Sequence, residues 1–309
     1  MRDIFSEGLL YLDLLEIYGS TYAVAEICGI AQSNVFRGAN SCAKLLNLGL
    51  TKNKQSGSYQ VERNLDVQRD LRKLNQRMRA REHGALRIIG AEALIAGHDI
   101  TLTQAKSYRS LPVNWHDISV SLDYLERSLL DVLVVRASQF SSHMAWPPPV
   151  RRRDLFIPLD PFACTELCSS PLVLAARPTN PQIKLLSIHE ACQLKWIADE
   201  NLPLEHIRTL YPDTSIYSLQ EIDATKEMAL AQVQTDSDFI WLTDLRHFMT
   251  LKLQYPYLNL HQLDLDLGIQ DYLLAITLIP LIREPMHQLL IRFLRELASS
   301  ASIGKPVSC

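Results

Sequence analysis

The sequence predicts an α/β protein with an N-terminal helix-turn-helix, a long linker helix and a body of alternating strands and helices. Three observations support this fold class. Two short helical patterns flank Gly29, as in a helix-turn-helix. An apolar heptad begins at Val67 within a strongly charged segment. Beyond it, near-continuous apolar strands alternate with amphipathic helical patterns, which is typical of α/β units. A chain of 309 residues has room for two or three such units.

The N-terminal head opens with a helical pattern over residues 5–18. Ser20 and Thr21 are residue types that cap helices, and a short run with apolar spacing follows them. Gly29 breaks this run where a positive φ is commonly needed. A second run starts at Gln32, so the sequence predicts two short helices joined by a tight turn.

The second of these helices has two distinct faces. Its apolar stripe consists of Val35, Ala39, Cys42 and Leu46. Its polar face carries two cations and no carboxylate, and consists of Ser33, Arg37, Asn40 and Lys44. In a major groove, Arg reads guanine, Asn reads adenine, and Lys and Ser hold phosphates. Gly38, inside the helix, indicates either an irregular helix or close approach to DNA, and an ordinary αα-hairpin with a solvated face remains the alternative.

The segment 51–61 is basic and centred on Gly57, between two short extended stretches. This pattern predicts a β-hairpin. Lys52 and Lys54 are placed to neutralise DNA phosphates beside the groove. An exposed hairpin with solvated lysines explains the same residues without DNA.

Taken together, the head resembles the N-terminal winged helix-turn-helix of the LysR-type transcriptional regulators. The resemblance is carried by three motifs: Gly19-Ser20, the pair Ala23 and Ala25, and Gln32-Ser33-Asn34-Val35. Phe36 replaces the usual serine, Val24 separates the alanine pair, and Cys42-Ala43 replaces the usual Leu-Glu. The hairpin is similar to the wing of that family. The resemblance implies contacts to double-stranded DNA from Ser20, Thr21, Gln32, Ser33, Asn34, Phe36, Arg37, Asn40, Lys44, Lys52 and Lys54.

Residues 64–82 form a long helix candidate. An apolar seam spaced at four, three and four residues consists of Val67, Leu71, Leu74 and Met78. Arginine and lysine side chains surround this seam. A narrow apolar seam on a long charged helix is not needed to fold a monomer, so the seam indicates a dimer contact. In the resembled family this helix pairs two heads, which implies an operator with two half-sites. A helix packed against its own domain is the alternative.

The body continues as α/β to the C-terminus. Predicted strands cover 86–90, 111–115, 131–135, 155–159, 171–178, 195–198, 239–243, 258–265 and 272–278. Predicted helices cover 117–129, 187–192, 223–233 and 285–297. The resemblance implies two lobes of the periplasmic-binding-protein type that close on a small ligand. The predicted domain bounds are 1–63 for the head, 64–83 for the linker helix, 84–160 with 267–300 for lobe 1, 161–266 for lobe 2, and 301–309 for a loose tail.

Ligands of open α/β sheets lie beyond the carboxyl ends of the strands. This rule, with one helix start, selects as effector-binding candidates Ala91, Glu92, Arg136, Ala137, Ser138, Asp199, Asp223, Thr225 and Thr243. Glu92 stands where the resembled family often has Ser or Thr, and it would repel an anion. The sequence therefore favours a neutral, aromatic or cationic effector, or none.

Composition and motifs exclude several function classes. The net charge is −3, with +3 on residues 1–83 and −6 on the remainder, which fits a DNA-reading head on a body that does not bind DNA. The sequence has no H-E-x-x-H, G-x-S-x-G or phosphate-binding loop, so we expect no catalytic residues, no metal and no cofactor. Cys164 and Cys168 could form a redox pair or half of a metal site.

The chain begins without a signal peptide and has no apolar run of about 20 residues, so we expect a cytoplasmic protein without a membrane partner. The expected partners are DNA, a small-molecule effector, a second copy as homodimer or dimer of dimers, and RNA polymerase as a further candidate. The function predicted is a LysR-type DNA-binding regulator controlled by an effector. The alternative is a small-molecule-binding or assembly protein of the same fold whose head has lost specific DNA binding.

Overall fold

A computed structural model describes residues 6–53, 59–83, 85–90, 108–111, 118–137, 156–176, 187–198, 202, 204–218, 239–254 and 256–301. The chain divides into two compact units. Unit 1 comprises Met1–Gly90, Ala105–Leu133 and Thr277–Gln288. Unit 2 comprises Ala91–Gln104, Val134–Ile276 and Leu289–Cys309. Unit 1 thus contains the predicted head, the linker helix and part of lobe 1, while the domain bounds given above stay a prediction.

The described helices are α1 (Ser6–Tyr18), α2 (Thr21–Cys28), α3 (Gln32–Leu45), α4 (Leu65–Met78), α5 (Ile118–Glu126), α6 (Ile188–Ala191), α7 (Leu204–Leu210), α8 (Leu245–Gln254) and α9 (Pro285–Ala301). The described strands are β1 (Leu50–Lys52), β2 (Tyr59–Val61), β3 (Leu86–Ile89), β4 (Tyr108–Ser110), β5 (Val132–Arg136), β6 (Phe156–Leu159), β7 (Phe162–Ala176), β8 (Lys195–Ala198), β9 (Ser215–Ser218), β10 (Phe239–Asp244), β11 (His261–Gln262) and β12 (Gln270–Leu278). A π-helical turn over Arg79–His83 continues α4, and 3-10 turns cover Pro256–Leu258 and Ile279–Leu281.

The turn between α2 and α3 follows from its capping residues. The Ser20 hydroxyl accepts hydrogen bonds from the backbone N–H groups of Tyr22 (3.2 Å) and Ala23 (3.5 Å), which begins α2. Gly29 ends the helix at φ +63°, a conformation that costs glycine little. The predicted starts of both helices are therefore confirmed, at Thr21 and Gln32.

Close packing of α1 on α3 explains the glycine inside α3. A Cβ atom at Gly38 would lie 2.6 Å from Cδ2 of Tyr11. A Cβ atom at Gly8 would lie 2.6 Å from Cβ of Cys42. α3 is a regular helix, so both sequence explanations of Gly38 are wrong: the missing side chain admits Tyr11 of the same chain rather than DNA.

The sheet of unit 1 is parallel, with β3 between β4 and β5. Each of these strands is short, and β3 and β5 are buried, as expected for strands covered on both faces. The second strand, β4, ends at Ser110, before the predicted range 111–115, of which only Leu111 is described, and Leu111 is not in a strand. β1 and β2 form a separate antiparallel hairpin, with Leu50 opposite Val61 and Lys52 opposite Tyr59.

A buried network of ion pairs ties three parts of unit 1 together. Asp13 of α1 accepts hydrogen bonds from Nε of Arg72 in α4 and from Nη1 of Arg87 in β3, both at 2.7 Å. Nη2 of Arg72 also lies 2.5 Å from Glu16, which is paired with Arg127 as well. All three members of the central group are almost fully buried.

A second buried pair lies where α4 runs into its π-helical turn. Arg79 donates two hydrogen bonds of 2.8 Å to the two carboxylate oxygens of Asp131. The same carboxylate accepts the backbone N–H of Arg87 at 2.8 Å, and Gln76 donates to the carbonyl of Leu130 at 2.8 Å. α4 therefore turns a polar face, not an apolar one, towards the interior of its own unit.

Unit 2 is built around the sheet order β7-β10-β8-β9, with β12, β6 and β11 also beside β7. β10 is antiparallel to β7 and parallel to β8, and β8 is parallel to β9. The core includes Trp196, whose ring lies 5.4 Å from that of Tyr211, together with Leu174, Ile240 and Leu242.

Several predicted elements of unit 2 need correction. The strand predicted over 171–178 is the end of β7, which runs through Pro171 without a break because extended backbone accommodates a proline. The strand predicted over 258–265 is a 3-10 turn and the two-residue β11, although Leu260 and Leu263 are buried. α7, α8 and β9 were not predicted, and the predicted helix 223–233 lies outside the described residues.

The extended conformation of β7 determines whether Cys164 and Cys168 can form a disulfide. Cys164 and Cys168 lie four residues apart in an extended strand, which places their Cα atoms roughly 13 Å apart, beyond disulfide reach. Burial raises the pKa of Cys164 to about 12 and that of Cys168 to about 11, so both stay thiols. The redox-pair hypothesis is therefore wrong.

Among the described helices, none is both long and apolar enough to cross a bilayer.

Candidate nucleic-acid interface and candidate effector site

One face of α3 is polar and open to solvent. Its members Ser33, Arg37 and Lys44 are exposed, and Asn40 is partly exposed. The opposite stripe at Val35, Ala39 and Cys42 is fully buried against the head. Periodicity therefore separated the two faces of this helix correctly.

Three of the predicted DNA contacts at the helix starts have partners inside the head. The hydroxyl of Ser20 caps α2. Thr21 is buried, and its hydroxyl accepts a hydrogen bond of 2.7 Å from Nε2 of Gln32. This bond joins the start of α2 to the start of α3, so it fixes the angle at which the polar face of α3 is presented.

Arg37 lies along the surface of its own helix. Its Nη2 donates to the side-chain oxygen of Asn34 at 3.2 Å, and its Nε donates to the carbonyl of Ser33 at 3.4 Å. Both bonds are exposed, and exposed bonds of this kind contribute little net free energy. The guanidinium can therefore leave them for a base edge at small cost.

The β-hairpin is joined to α3 through an aromatic contact. The ring centroids of Phe36 and Tyr59 are 6.5 Å apart, with the ring planes tilted by 54°. Nζ of Lys52 lies 5.6 Å from the centroid of Tyr59. Lys52 is exposed, which leaves its ammonium group accessible to a phosphate.

The electrostatic character of this surface is uniform over a long stretch of chain. No Asp or Glu occurs between Glu26 and Glu62. The cations in that interval are Arg37, Lys44, Lys52 and Lys54. Lys54 itself lies outside the described residues. The first carboxylate after the hairpin, Glu62, accepts a hydrogen bond of 2.7 Å from the hydroxyl of Thr51.

The predicted dimer seam lies on the outer face of α4. Leu74 and Met78 are 56% and 62% exposed, and Val67 is 40% exposed. Leu71 is partly exposed. The buried positions of the helix are Gln68, Arg72 and Gln76. This reversal, with polar residues inside and apolar residues outside, leaves an apolar stripe without cover in the described part of the chain.

Arg136, a predicted effector-binding residue, lies between two carboxylates of unit 2. Its Nη2 lies 2.8 Å from Asp244, and its Nη1 donates to Asp271 at 3.1 Å. Thr243, beside Asp244, is fully buried, and so is Ala137. The ends of β5 and β10 therefore lie close to the start of β12. The guanidinium group of Arg136 is paired there with two carboxylates of the same unit.

Asp244, Asp271 and Arg246 were missed by sequence reasoning. Burial raises the pKa of Asp271 to about 6, and Arg136 only partly offsets this. Burial also acts to raise the pKa of Asp244, but Arg136 and Arg246 outweigh it and hold the pKa below its usual value. The strand-end rule stopped one residue short of Asp244. It could not find Asp271, because this residue lies near the start of a strand rather than at a carboxyl end.

The remaining effector candidates lie outside the described residues: Ala91, Glu92, Ser138, Asp199, Asp223 and Thr225. Across the part of the chain that the structure describes, no group of three or more His, Cys, Asp and Glu side chains is arranged to hold a metal ion.

The sequence matches no protein-family model and no curated protein. Similarity appears among solved structures. The probable transcriptional regulator PA0477 from Pseudomonas aeruginosa aligns with a TM-score of 0.56 at 14% identity, covering 94% of this chain and 95% of that chain. Full-length OxyR C199D from the same organism aligns with a TM-score of 0.50 at 11% identity, covering 96% and 95%. The chain therefore shares its fold with these two proteins.

Proposed function

We propose that this protein is a cytoplasmic, LysR-type DNA-binding transcriptional regulator, with an N-terminal winged helix-turn-helix and a two-lobed, periplasmic-binding-protein-like effector domain. The observation that carries the proposal is the exposed, acid-free polar face of α3, with Arg37 and Lys44 on it and Lys52 beside it. Such a surface neutralises phosphates and presents donors to base edges at the same time. The fold shared with transcriptional regulators supports the same function.

The chain acts as a dimer or a dimer of dimers, held by the exposed seam on α4. Two heads then present two copies of α3, which requires a DNA site with two related half-sites. The effector binds between the two lobes and shifts the population of dimer arrangements, and therefore the spacing of the bound half-sites. RNA polymerase is a further candidate partner.

The class of effector follows from charge. Arg136 is already paired with Asp244 and Asp271, so it does not offer an unpaired cation to an anionic ligand. This supports a neutral, aromatic or cationic effector, as the presence of Glu92 also does. Catalysis has no role in the proposal, and no cofactor is required.

The experiment that tests DNA recognition is selection of bound fragments from random DNA by the full-length protein at near-physiological salt. We expect an enriched motif with two half-sites. Arg37→Ala should lower the preference at one base pair per half-site about 10- to 100-fold, because a bidentate Arg–guanine contact is lost. Lys52→Ala should weaken binding to all sequences and reduce the salt slope by about 1.

Lys252→Ala is the matched control for these variants, because Lys252 is an exposed cation on α8 in unit 2. It should bind DNA like the wild type. Unchanged sequence preference in Arg37→Ala would remove α3 as the reading helix. Weak capture of all sequences by the wild type would instead favour a small-molecule-binding or assembly protein whose head has lost specific DNA binding.

The dimer seam gives a separate prediction. Leu74→Glu or Met78→Glu places a carboxylate within an apolar contact, and we expect the dimer dissociation constant to rise at least about 100-fold because a desolvated, unpaired charge is costly. Light scattering coupled to size exclusion measures the mass directly. Lys73→Glu, an exposed position on the same helix outside the seam, is the control and should leave the mass unchanged. A dimer that survives both seam substitutions would place the contact elsewhere.

A further inference from the structure

We propose that Phe36 reads the C5 methyl group of a thymine in each half-site, and that Tyr59 positions its ring. The inference rests on the proposed DNA-binding function and specifies one base that the head selects. It depends on three observations: the position and exposure of Phe36, its contact with the hairpin, and the chemistry that a phenyl ring offers to base edges.

Phe36 lies on the polar face of α3 rather than in the core. It follows Ser33 by three residues and precedes Asn40 by four, so it shares their side of the helix. The ring is 45% exposed, while Val35 beside it is fully buried. The core of the head is thus complete without Phe36, and folding alone does not explain a large apolar side chain at this position.

The hairpin holds the ring of Phe36 at the surface. A tilted pair with centroids 6.5 Å apart is a favoured arrangement of two aromatic rings. Tyr59 is itself fixed by β2, and Lys52 stands opposite Tyr59 in β1 with its Nζ 5.6 Å from the ring. The cation that approaches a phosphate and the ring that approaches a base are therefore linked through Tyr59.

A phenyl ring can distinguish thymine from the other bases. It neither donates nor accepts a conventional hydrogen bond, so a base edge that faces it loses its polar partners. Thymine is the one standard base with an apolar group in the major groove, its C5 methyl. Arg37 and Asn40 offer hydrogen bonds on the same face, which leaves the apolar contact to Phe36.

The test removes only the methyl group. In the motif selected by the full-length protein, each thymine is replaced singly by deoxyuridine, which keeps every hydrogen-bonding group. We expect one position per half-site at which the wild type binds about fourfold more weakly, the effect of one buried methyl group. At that position a 5-methylcytosine·guanine pair should bind more tightly than a cytosine·guanine pair by the same factor.

Two variants assign the effect to the ring and to its support. Phe36→Ser should bind thymine and uracil sites equally, because the methyl contact is gone. Tyr59→Leu should reduce the thymine-to-uracil ratio, because the ring of Phe36 loses the aromatic contact that positions it. Far-UV circular dichroism confirms that both variants are folded, and Phe36→Leu, which keeps an apolar group, should retain part of the ratio.

The outcomes separate this inference from the proposed function. An enriched motif that the wild type binds equally with thymine and uracil at every position overturns the assignment of Phe36 alone. A thymine-to-uracil ratio that persists in Phe36→Ser also overturns it. The absence of any enriched motif overturns the DNA-binding function and this inference together.

Discussion

Replacing Asp13 by Asn should lower the free energy of unfolding by about 3–5 kcal/mol. The carboxylate of Asp13 accepts hydrogen bonds from Arg72 and Arg87, each at 2.7 Å, and all three residues are almost fully buried. An asparagine has nearly the same shape but carries no charge and has one acceptor oxygen, so the buried Arg87 loses its counter-charge and Arg72 keeps only that of Glu16. An uncompensated buried charge accounts for most of the expected cost.

The direction of the pKa shift of Asp13 agrees with this role in stability. Burial alone would raise the pKa of Asp13, but Arg87 and Arg72 outweigh it and hold the pKa below the usual 3.8. A carboxyl group with a depressed pKa in the folded state stabilises the fold above its unfolded pKa. This contribution is present at neutral pH and is lost as the pH falls below 3.8 through the folded value.

Urea denaturation followed by far-UV circular dichroism measures the change, and hydrogen exchange at α1 and α4 locates it. Asp123→Asn is the matched control, because Asp123 pairs with Arg127 four residues away and its side chain is 52% exposed. That pair should contribute only about 0.3–0.5 kcal/mol. Equal effects of the two substitutions would mean that the Asp13 network does not stabilise unit 1.

The sequence predicted that Arg37 lies on the polar face of α3, but it did not predict that Arg72 is buried. The polar face of α3 was predicted because exposure follows helical periodicity within 12 residues of chain. Arg72 was counted among the arginine and lysine side chains that surround the seam, but it is buried. Its partner Asp13 lies 59 residues away, and the third member Arg87 lies 74 residues from Asp13. No local pattern encodes a pairing over such distances.

The candidate effector residues show the same limit for a different reason. Strand ends follow from apolar runs, so Arg136 and Thr243 were selected. Arg136 does belong to a charged cluster of unit 2, while Thr243 is a buried residue next to Asp244, a member of that cluster. Asp271 enters that cluster because β12 lies beside β7 in the sheet. Sheet order is set by tertiary packing, and the sequence pattern of a single strand contains no record of its neighbours.

His287 provides the second large prediction, a loss of stability in mild acid. This residue of unit 1 is 1% exposed, and neither ring nitrogen has a hydrogen-bond partner among the described residues. Burial lowers the pKa of His287 to about 4, and the nearby Asp131 offsets this only partly. The folded chain therefore keeps the ring neutral down to about pH 4, whereas the unfolded chain takes up a proton below pH 6.5.

Because the unfolded state binds the extra proton, the stability contribution of the neutral ring is complete above pH 6.5 and decreases as the pH falls towards 4. At pH 5 the loss should be about 2 kcal/mol. His287→Leu should remove this loss, and at pH 7 it should be within about 1 kcal/mol of the wild type, because an apolar side chain of similar size leaves no polar group unpaired. Urea denaturation at pH 7 and pH 5 measures the free energy of unfolding at each pH.

His189→Leu, at an exposed position in α6, is the control and should keep the acid sensitivity of the wild type. An unchanged difference between the two pH values in His287→Leu would show that another group of the fold titrates instead.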